Sequence, residues 1–144
     1  MIVDRALSLT QPWTSLMAIG AKQVETRAWR TSFRGWVAIH ASKRFPAECQ
    51  RLCFERSFAL SLARAYPDSP RLPLGQILAV VEIVDCQRTE AYSPDDLERD
   101  FGDYGPGRFA ILTRGARLLR QPITIRGALS IWRLQRPITE ADLV

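Results

Sequence analysis

Three charged side chains within a short segment carry the most suggestive chemistry in this sequence: Lys22, Glu25 and Arg27. If residues 23–27 form a strand, Glu25 and Arg27 point to the same face, because side chains alternate along a strand. Lys22 stands just before that strand, and its long stem reaches the same face. A carboxylate flanked by two cations has its charged form favoured. One function that such a group of residues could have is a site that binds phosphate and reads a base.

Each member of this trio has a distinct predicted role. Arg27 offers a planar donor fork, Lys22 a point charge, and Glu25 an acceptor for an exocyclic amine such as that of cytosine. A salt bridge that only orients the strand is the structural alternative. A catalytic alternative is also open, in which Glu25 is a general base toward water or a ribose 2′-OH and Lys22 stabilises developing negative charge.

Further cations and aromatic rings surround the trio. Residues 22–44 hold six Lys and Arg side chains against one acid, a net charge of +5 that equals the excess of the whole chain. Such a patch predicts salt-sensitive binding to a polyanion, because neutralising phosphates releases counterions; a solvated basic face is the alternative. An exposed tryptophan would stack on a base. The predicted nucleic-acid contacts are Trp13, Lys22, Glu25, Arg27, Arg30, Arg34, Ser42 and Lys43.

Length and composition limit the class of protein. The 144 residues, 47% hydrophobic and 24% charged, are typical of one compact globular domain. Residues 1–72 alone carry a net charge of +6, which favours a polyanionic partner such as RNA or DNA. No apolar run approaches the roughly 18 residues of a membrane span, so we expect no membrane partner. Three cysteines, an odd count, with no export signal predict reduced thiols and a cytoplasmic location.

The sequence predicts neither a metal site nor a cofactor. His40 is the only histidine, and Cys49 and Cys53 lack the second ligand pair that a zinc site needs. We therefore expect these cysteines to be buried and structural. His40 is expected to be a structural residue at the end of a strand rather than an acid or base in catalysis.

Short strands with few helices dominate the predicted secondary structure. Pro12 begins a short helix that Gly20 ends, residues 46–65 predict one long helix, and Ser93–Asp96 begin another short one. This pattern predicts an α+β domain built on a small barrel. Strands are predicted at residues 3–9, 23–27, 35–41, 76–86, 108–113, 122–126 and 130–134.

The segments around the charged trio resemble a known family. Residues 11–16 (QPWTSL) and 20–27 (GAKQVETR) are similar to the activating-signal-cointegrator homology, or ASCH, domains, whose signature is Gly-x-Lys-x-x-Glu-x-Arg. The resemblance continues through residues 75–86 and Arg126-Gly127, and it ends with residues 131–134 (IWRL). It therefore covers most of the chain in register.

This resemblance implies a PUA-like fold, a five- or six-stranded β-barrel with flanking helices, in a single domain over residues 1–144. Members are proposed to bind RNA or DNA in a cleft beside the signature, so we expect this chain to bind RNA, a single-stranded nucleic acid or a nucleotide. Some small relatives hydrolyse an acyl amide on modified cytidine, and another cleaves RNA. A ribonuclease or N4-acylcytidine amidohydrolase using Lys22 and Glu25 is therefore the alternative. The amide-hydrolysing relatives have a threonine at the position of Glu25, where this chain has a carboxylate.

Overall fold

A computed structural model describes all residues, 1–144, as six strands and four α-helices. The strands are β1 (Ile2–Leu9), β2 (Val24–Arg27), β3 (Gly35–Ala41), β4 (Gln76–Arg88), β5 (Phe109–Thr124) and β6 (Ile131–Thr139). The helices are α1 (Trp13–Ala18), α2 (Ala47–Leu52), α3 (Arg56–Leu62) and α4 (Asp96–Asp100). The predicted α+β class is confirmed.

All six strands form one mixed sheet in the order β2-β5-β4-β3-β1-β6. β1 runs parallel to β3, and the other neighbouring strands are antiparallel. The prediction of a closed barrel is wrong, because β2 and β6 end the order and no ladder joins them. β2 has only four residues, and its Arg27 side chain crosses to β1, where Nη2 donates to Ser8 O at 2.7 Å. A side chain, and not a pair of strands, therefore spans the gap between β2 and β1.

Two segments differ from the elements predicted from the sequence. The helix predicted over residues 46–65 is broken into α2 and α3, because Glu55 between them is extended, with φ −72° and ψ 145°. The strands predicted at 108–113 and 122–126 are parts of one strand, β5. Its ladder with β4 passes through three register shifts. Shifts of this kind bend a strand, and they allow one long strand to follow the curved sheet.

Buried side chains fill the interior of the sheet and fix α1 against it. Leu7 and Ile39 belong to one core cluster of the sheet, and Leu16 of α1 packs with Phe58 and Phe101 in another. Burial of each such side chain stabilises the fold by about 1.5–3 kcal/mol. All three cysteines are free and buried, as expected from the sequence. No helix has both the length and the apolar character needed to cross a membrane.

Candidate functional site

The turn between α1 and β2 brings the charged trio to the gap in the sheet. Gln11 fixes the start of α1, since its Oε1 accepts from Ser15 N and its Nε2 donates to Pro73 O, both at 2.9 Å. After α1 ends at Ala18, Gly20 adopts φ +80°, a left-handed conformation that glycine reaches without steric cost. The two ends of α1 thus determine where the chain enters β2.

Glu25 and Arg27 lie on one face of β2, as the alternation predicts, and form an ion pair. Arg27 Nε donates to Glu25 Oε2 at 2.7 Å, and the two side chains are 23% and 12% exposed. Arg27 Nη2 donates to Ser8 O, and its guanidinium carbon lies 5.7 Å from the centre of the Trp29 ring. Because arginine has five N–H donors, three of those on Arg27 stay available to a ligand.

Lys22 lies beneath this pair and is less exposed to solvent than either Glu25 or Arg27. Its side chain is 1% exposed, and its Nζ lies 3.3 Å from Glu25 Oε1. Nζ also donates to Val24 O and, at 3.3 Å, to Phe101 O. These three partners match the three N–H donors of an ammonium group. Lys22 therefore orients the Glu25 carboxylate and ties β2 to the end of α4.

Glu98 of α4 completes this buried group of charges. Its two carboxylate oxygens accept from Gln23 N at 2.5 Å and Val24 N at 3.3 Å. Asp95 caps α4 by accepting from Glu98 N at 2.8 Å. Burial raises the pKa of Glu98, while the Gln23 N–H and the charge of Lys22 act in the opposite direction. A side chain from a distant helix thus holds the start of β2 in place.

A cleft of about 480 Å³ occupies the gap in the sheet, and we call it the β2 cleft. Its lining includes Glu25 and Arg27 of β2, Ser8 of β1 and Trp13 of α1. Trp13 packs edge-on against Phe58, with ring centres 6.4 Å apart. Both signs of charge meet here, from Glu25, Asp100, Asp103, Arg27 and Arg108. The cleft therefore offers fixed donors, fixed acceptors and an aromatic face.

A larger depression of about 820 Å³ adjoins the β2 cleft. We call it the basic groove, formed by Arg27, His40, Ser42, Lys43 and residues 124–130. The two depressions share four residues, Ser8, Leu9, Thr10 and Arg27. They are therefore continuous across a ridge formed by the end of β1 and the side chain of Arg27.

His40 supports the floor of the basic groove and is 2% exposed. Its Nε2 donates to Ile125 O at 2.8 Å, so its Nδ1 is the acceptor for the Ser8 hydroxyl at 2.9 Å. The ring packs edge-on against Trp132, with centres 5.7 Å apart. Burial lowers the pKa of His40. With both ring nitrogens occupied, His40 has the structural role predicted from the sequence.

The structure separates the contacts predicted from the sequence into four places. The β2 cleft contains Trp13, Glu25 and Arg27, the basic groove contains Ser42 and Lys43, Lys22 lies beneath the cleft, and Arg30 and Arg34 line neither depression. Arg34 instead donates to Thr31 O and Phe33 O and lies 3.7 Å from Asp85. Direct contact of these side chains with a ligand stays a prediction.

Sequence reasoning missed two arginines that the fold brings to these depressions. Arg108 lines the β2 cleft, where it donates to Asp103 O at 3.1 Å and to Thr26 O at 3.2 Å. Arg126 lines the basic groove. No local periodicity indicates a role for either residue. In the sequence, Arg126 stands out only as part of the Arg126-Gly127 pair that resembles the family.

Sequence comparison places the chain beside larger proteins. A family model described as the ASCH domain matches residues 7–106. Activating signal cointegrator 1 of Homo sapiens is 28% identical over 134 residues, and that of Mus musculus is 27% identical over 134 residues. Each alignment covers 92% of this chain and 22% of the relative. The chain thus spans about a fifth of the length of these curated relatives.

A solved structure has the same fold. The crystal structure of ASCH from Zymomonas mobilis superposes with a TM-score of 0.53 at 14% sequence identity. The superposition covers 92% of this chain and 87% of the other. At this identity the likeness establishes the arrangement of strands and helices alone.

Proposed function

The chain belongs to the ASCH domain family, and from that premise we propose that it binds single-stranded nucleic acid, with RNA preferred, in the β2 cleft. Residues 1–144 would act as a single PUA-like domain. The family match ends at residue 106, but β5 and β6 pair with β1, β2 and β4 to complete the sheet. The three buried free cysteines are consistent with a reducing compartment such as the cytoplasm.

The observation that carries this proposal is the Glu25–Arg27 pair in the wall of the β2 cleft. Lys22 and Arg27 hold the Glu25 carboxylate from two sides, at 3.3 and 2.7 Å. A fixed carboxylate acceptor suits the exocyclic amine of cytosine, and the free donors of Arg27 suit a base carbonyl or a phosphate oxygen. The pair therefore presents the complement of a base edge.

The shape of the β2 cleft favours an unpaired base. Its volume of about 480 Å³ is suited to a small group, and Trp13 presents a half-buried ring beside it. A base that is splayed from a single strand can enter such a site and stack on an aromatic side chain, whereas a base within a duplex cannot. Stacking of this kind contributes about 1–3 kcal/mol per base.

The test is binding of a fluorescein-labelled single-stranded RNA of about eight nucleotides, followed by anisotropy. We expect Glu25→Gln and Arg27→Met each to weaken binding by about tenfold, which is the usual scale for loss of a base contact. Arg120→Ala is the matched control, because Arg120 is exposed and lines neither depression. Unchanged affinity in the double variant of Glu25 and Arg27 would contradict the proposal.

Catalysis by Lys22 and Glu25 ranks second. The three N–H donors of Lys22 are already engaged with Val24 O, Phe101 O and Glu25. A substrate oxygen would therefore have to displace one of these partners. The neighbouring hydroxyl of Thr26 is buried, where it accepts from Asp103 N at 3.0 Å. Incubation with labelled RNA and with N4-acetylcytidine separates the two functions. Turnover that is lost in Glu25→Gln would place hydrolysis above binding.

A further inference from the structure

The basic groove differs from the β2 cleft in having no acid. Its three cations are Arg27, Lys43 and Arg126, and none of its other lining residues is charged at neutral pH when His40 is neutral. Lys43 and Arg126 are exposed, and neither forms an ion pair. Uncompensated cations at the edge of a concave surface attract phosphate and release counterions when they bind it.

Contacts with the sheet fix the position of residues 124–130, which line the groove. His40 donates to Ile125 O at 2.8 Å, and Ile125 N donates to Gly75 O at 3.1 Å. A Cβ on Gly127 would lie 2.6 Å from His40 Cε1 and 2.7 Å from Ser8 Oγ. Only a glycine fits at this distance, so the loop lies directly on the floor and Arg126 is carried to the rim.

The position of Lys43 on the groove is also set by close approach to a glycine. A Cβ on Gly75 would lie 3.0 Å from Lys43 Cγ and 3.1 Å from its Cε, so the lysine stem runs across Gly75. The aliphatic part of the side chain is thereby packed, while the ammonium group stays free of carboxylates. Lysine stems commonly pack in this way with the charged head in water.

We propose that the basic groove binds the backbone phosphates of a single-stranded nucleic acid whose base occupies the β2 cleft. This inference rests on the proposed function and names the part of the ligand that the cleft does not hold. Arg27 links the two sites, since it lines both and keeps three donors free. A ligand must then reach across the ridge at Arg27. A nucleoside fills the cleft alone, and an oligonucleotide fills both.

Leu129 and Ser130, in the loop that lines the basic groove, add further contacts for the strand. Leu129 is 91% exposed on the groove lining, beside Ser130, whose φ is +57°. An apolar side chain at this position covers the face of the next base along the strand, while the hydroxyls of Ser42 and Ser130 donate to phosphate oxygens. Phosphate contacts of this sort fix the register of a strand without reading its sequence.

The experiment compares cytidine with the same labelled RNA of about eight nucleotides, at about 50 and 200 mM salt. Cytidine binding is followed by competition against that RNA. We expect Lys43→Ala and Arg126→Ala each to weaken RNA binding about fivefold and to reduce the slope of log affinity against log salt by about 0.7, the value for one phosphate on a single strand. Cytidine affinity should stay unchanged in both variants, and Arg120→Ala should change neither ligand.

The outcomes distinguish this inference from the proposed function. RNA binding that needs Glu25 but is unchanged in Lys43→Ala and Arg126→Ala, with the same salt slope as Arg120→Ala, overturns the phosphate track and leaves the base site intact. Wild-type protein that binds neither cytidine nor RNA overturns both. A poly-glutamate peptide that competes with RNA at equal charge overturns the assignment to phosphate, because a carboxylate partner then fits the groove as well.

Discussion

The β2 cleft and the basic groove share Arg27 but use charge in opposite ways. In the cleft, Glu25 is paired with Lys22 and Arg27, so its orientation is fixed before any ligand arrives. In the groove, Lys43 and Arg126 have no acid beside them. Paired charges provide direction and unpaired cations provide attraction. On the proposed function, reading a base and holding a backbone would fall to neighbouring surfaces of different composition.

The two lysines of the chain give the strongest test of this contrast. Lys22→Met removes the only cation that reaches Val24 O, Phe101 O and Glu25 together, and breaking a buried ion pair costs about 3 kcal/mol at the low end of its usual range. Urea unfolding measures the loss. Lys43→Met is the matched control, expected to change the free energy of unfolding by less than about 0.5 kcal/mol. Equal losses in the two variants would remove the distinction between a positioning lysine and a free one.

Gly127→Ala tests the groove and the cleft separately, because Gly127 lines the groove alone. The added methyl group meets His40 and Ser8 at 2.6 and 2.7 Å, so the loop must move away from the sheet, at about 2 kcal/mol for overpacking. RNA affinity should fall while cytidine affinity is retained. Gly105→Ala is the control, because its Cβ meets only the flexible Asp103 Oδ1 at 3.1 Å. Equal RNA affinity in the Gly127 variant and the control would show that the loop position is irrelevant.

Glu25→Gln sharpens the contrast by changing which base is read. A glutamine presents a donor as well as an acceptor, so the preference for an oligocytidine over an oligouridine should decrease by about 1.4 kcal/mol, or tenfold. Anisotropy with both oligonucleotides measures the ratio. Glu82→Gln is the matched control, since Glu82 pairs with Arg114 away from both depressions. A cytidine preference that survives in Glu25→Gln would assign base reading to another residue.

The smallest effect is the pH dependence of His40. Burial lowers its pKa below the unfolded value near 6.5, so the unfolded state binds the proton more tightly. The stability that His40 contributes is complete above that value and is lost as the pH falls from it toward the lower folded pKa. Thermal unfolding between about pH 7.5 and 5.5 measures this loss.

Glu98 changes stability in the opposite direction on acidification. Burial raises the pKa of Glu98, so its protonation on acidification favours the folded state. The His40→Asn variant removes the contribution of His40 to the pH dependence of stability and keeps that of Glu98. The difference between the variant and wild type therefore measures the histidine alone. A pH dependence that is identical in wild type and His40→Asn would mean that the histidine beneath the groove does not sense pH.

Local patterns were sufficient for much of the fold and for the pair in the cleft. Alternation placed Glu25 and Arg27 on one face, and the proline and glycine flanking α1 marked its ends. The break between α2 and α3 was not predicted. The hydrophobic spacing of a helix continues across Glu55, but the backbone at Glu55 is extended and not helical. Barrel closure also failed as a prediction, since it depends on the pairing of chain segments far apart.

The fate of the individual cations could not be read from the sequence. Lys22 is buried, and one of the groups that enclose it is Phe101 O, 79 residues further along the chain. Arg126 reaches the groove because Ile125 is bonded to His40, 85 residues earlier. Both placements depend on contacts between residues far apart in the chain, which local spacing of residue types does not predict. Sequence therefore located the positive charge but not which cations are free.

The burial of Lys22 has a practical consequence for measuring ligand occupancy. Of the two lysine side chains, only that of Lys43 is accessible, because Lys22 is enclosed by its three partners. An acylating reagent would thus mark one side chain, and that side chain stands on the rim of the basic groove. Protection of Lys43 from such a reagent, read by mass spectrometry, would report directly on whether that rim is covered.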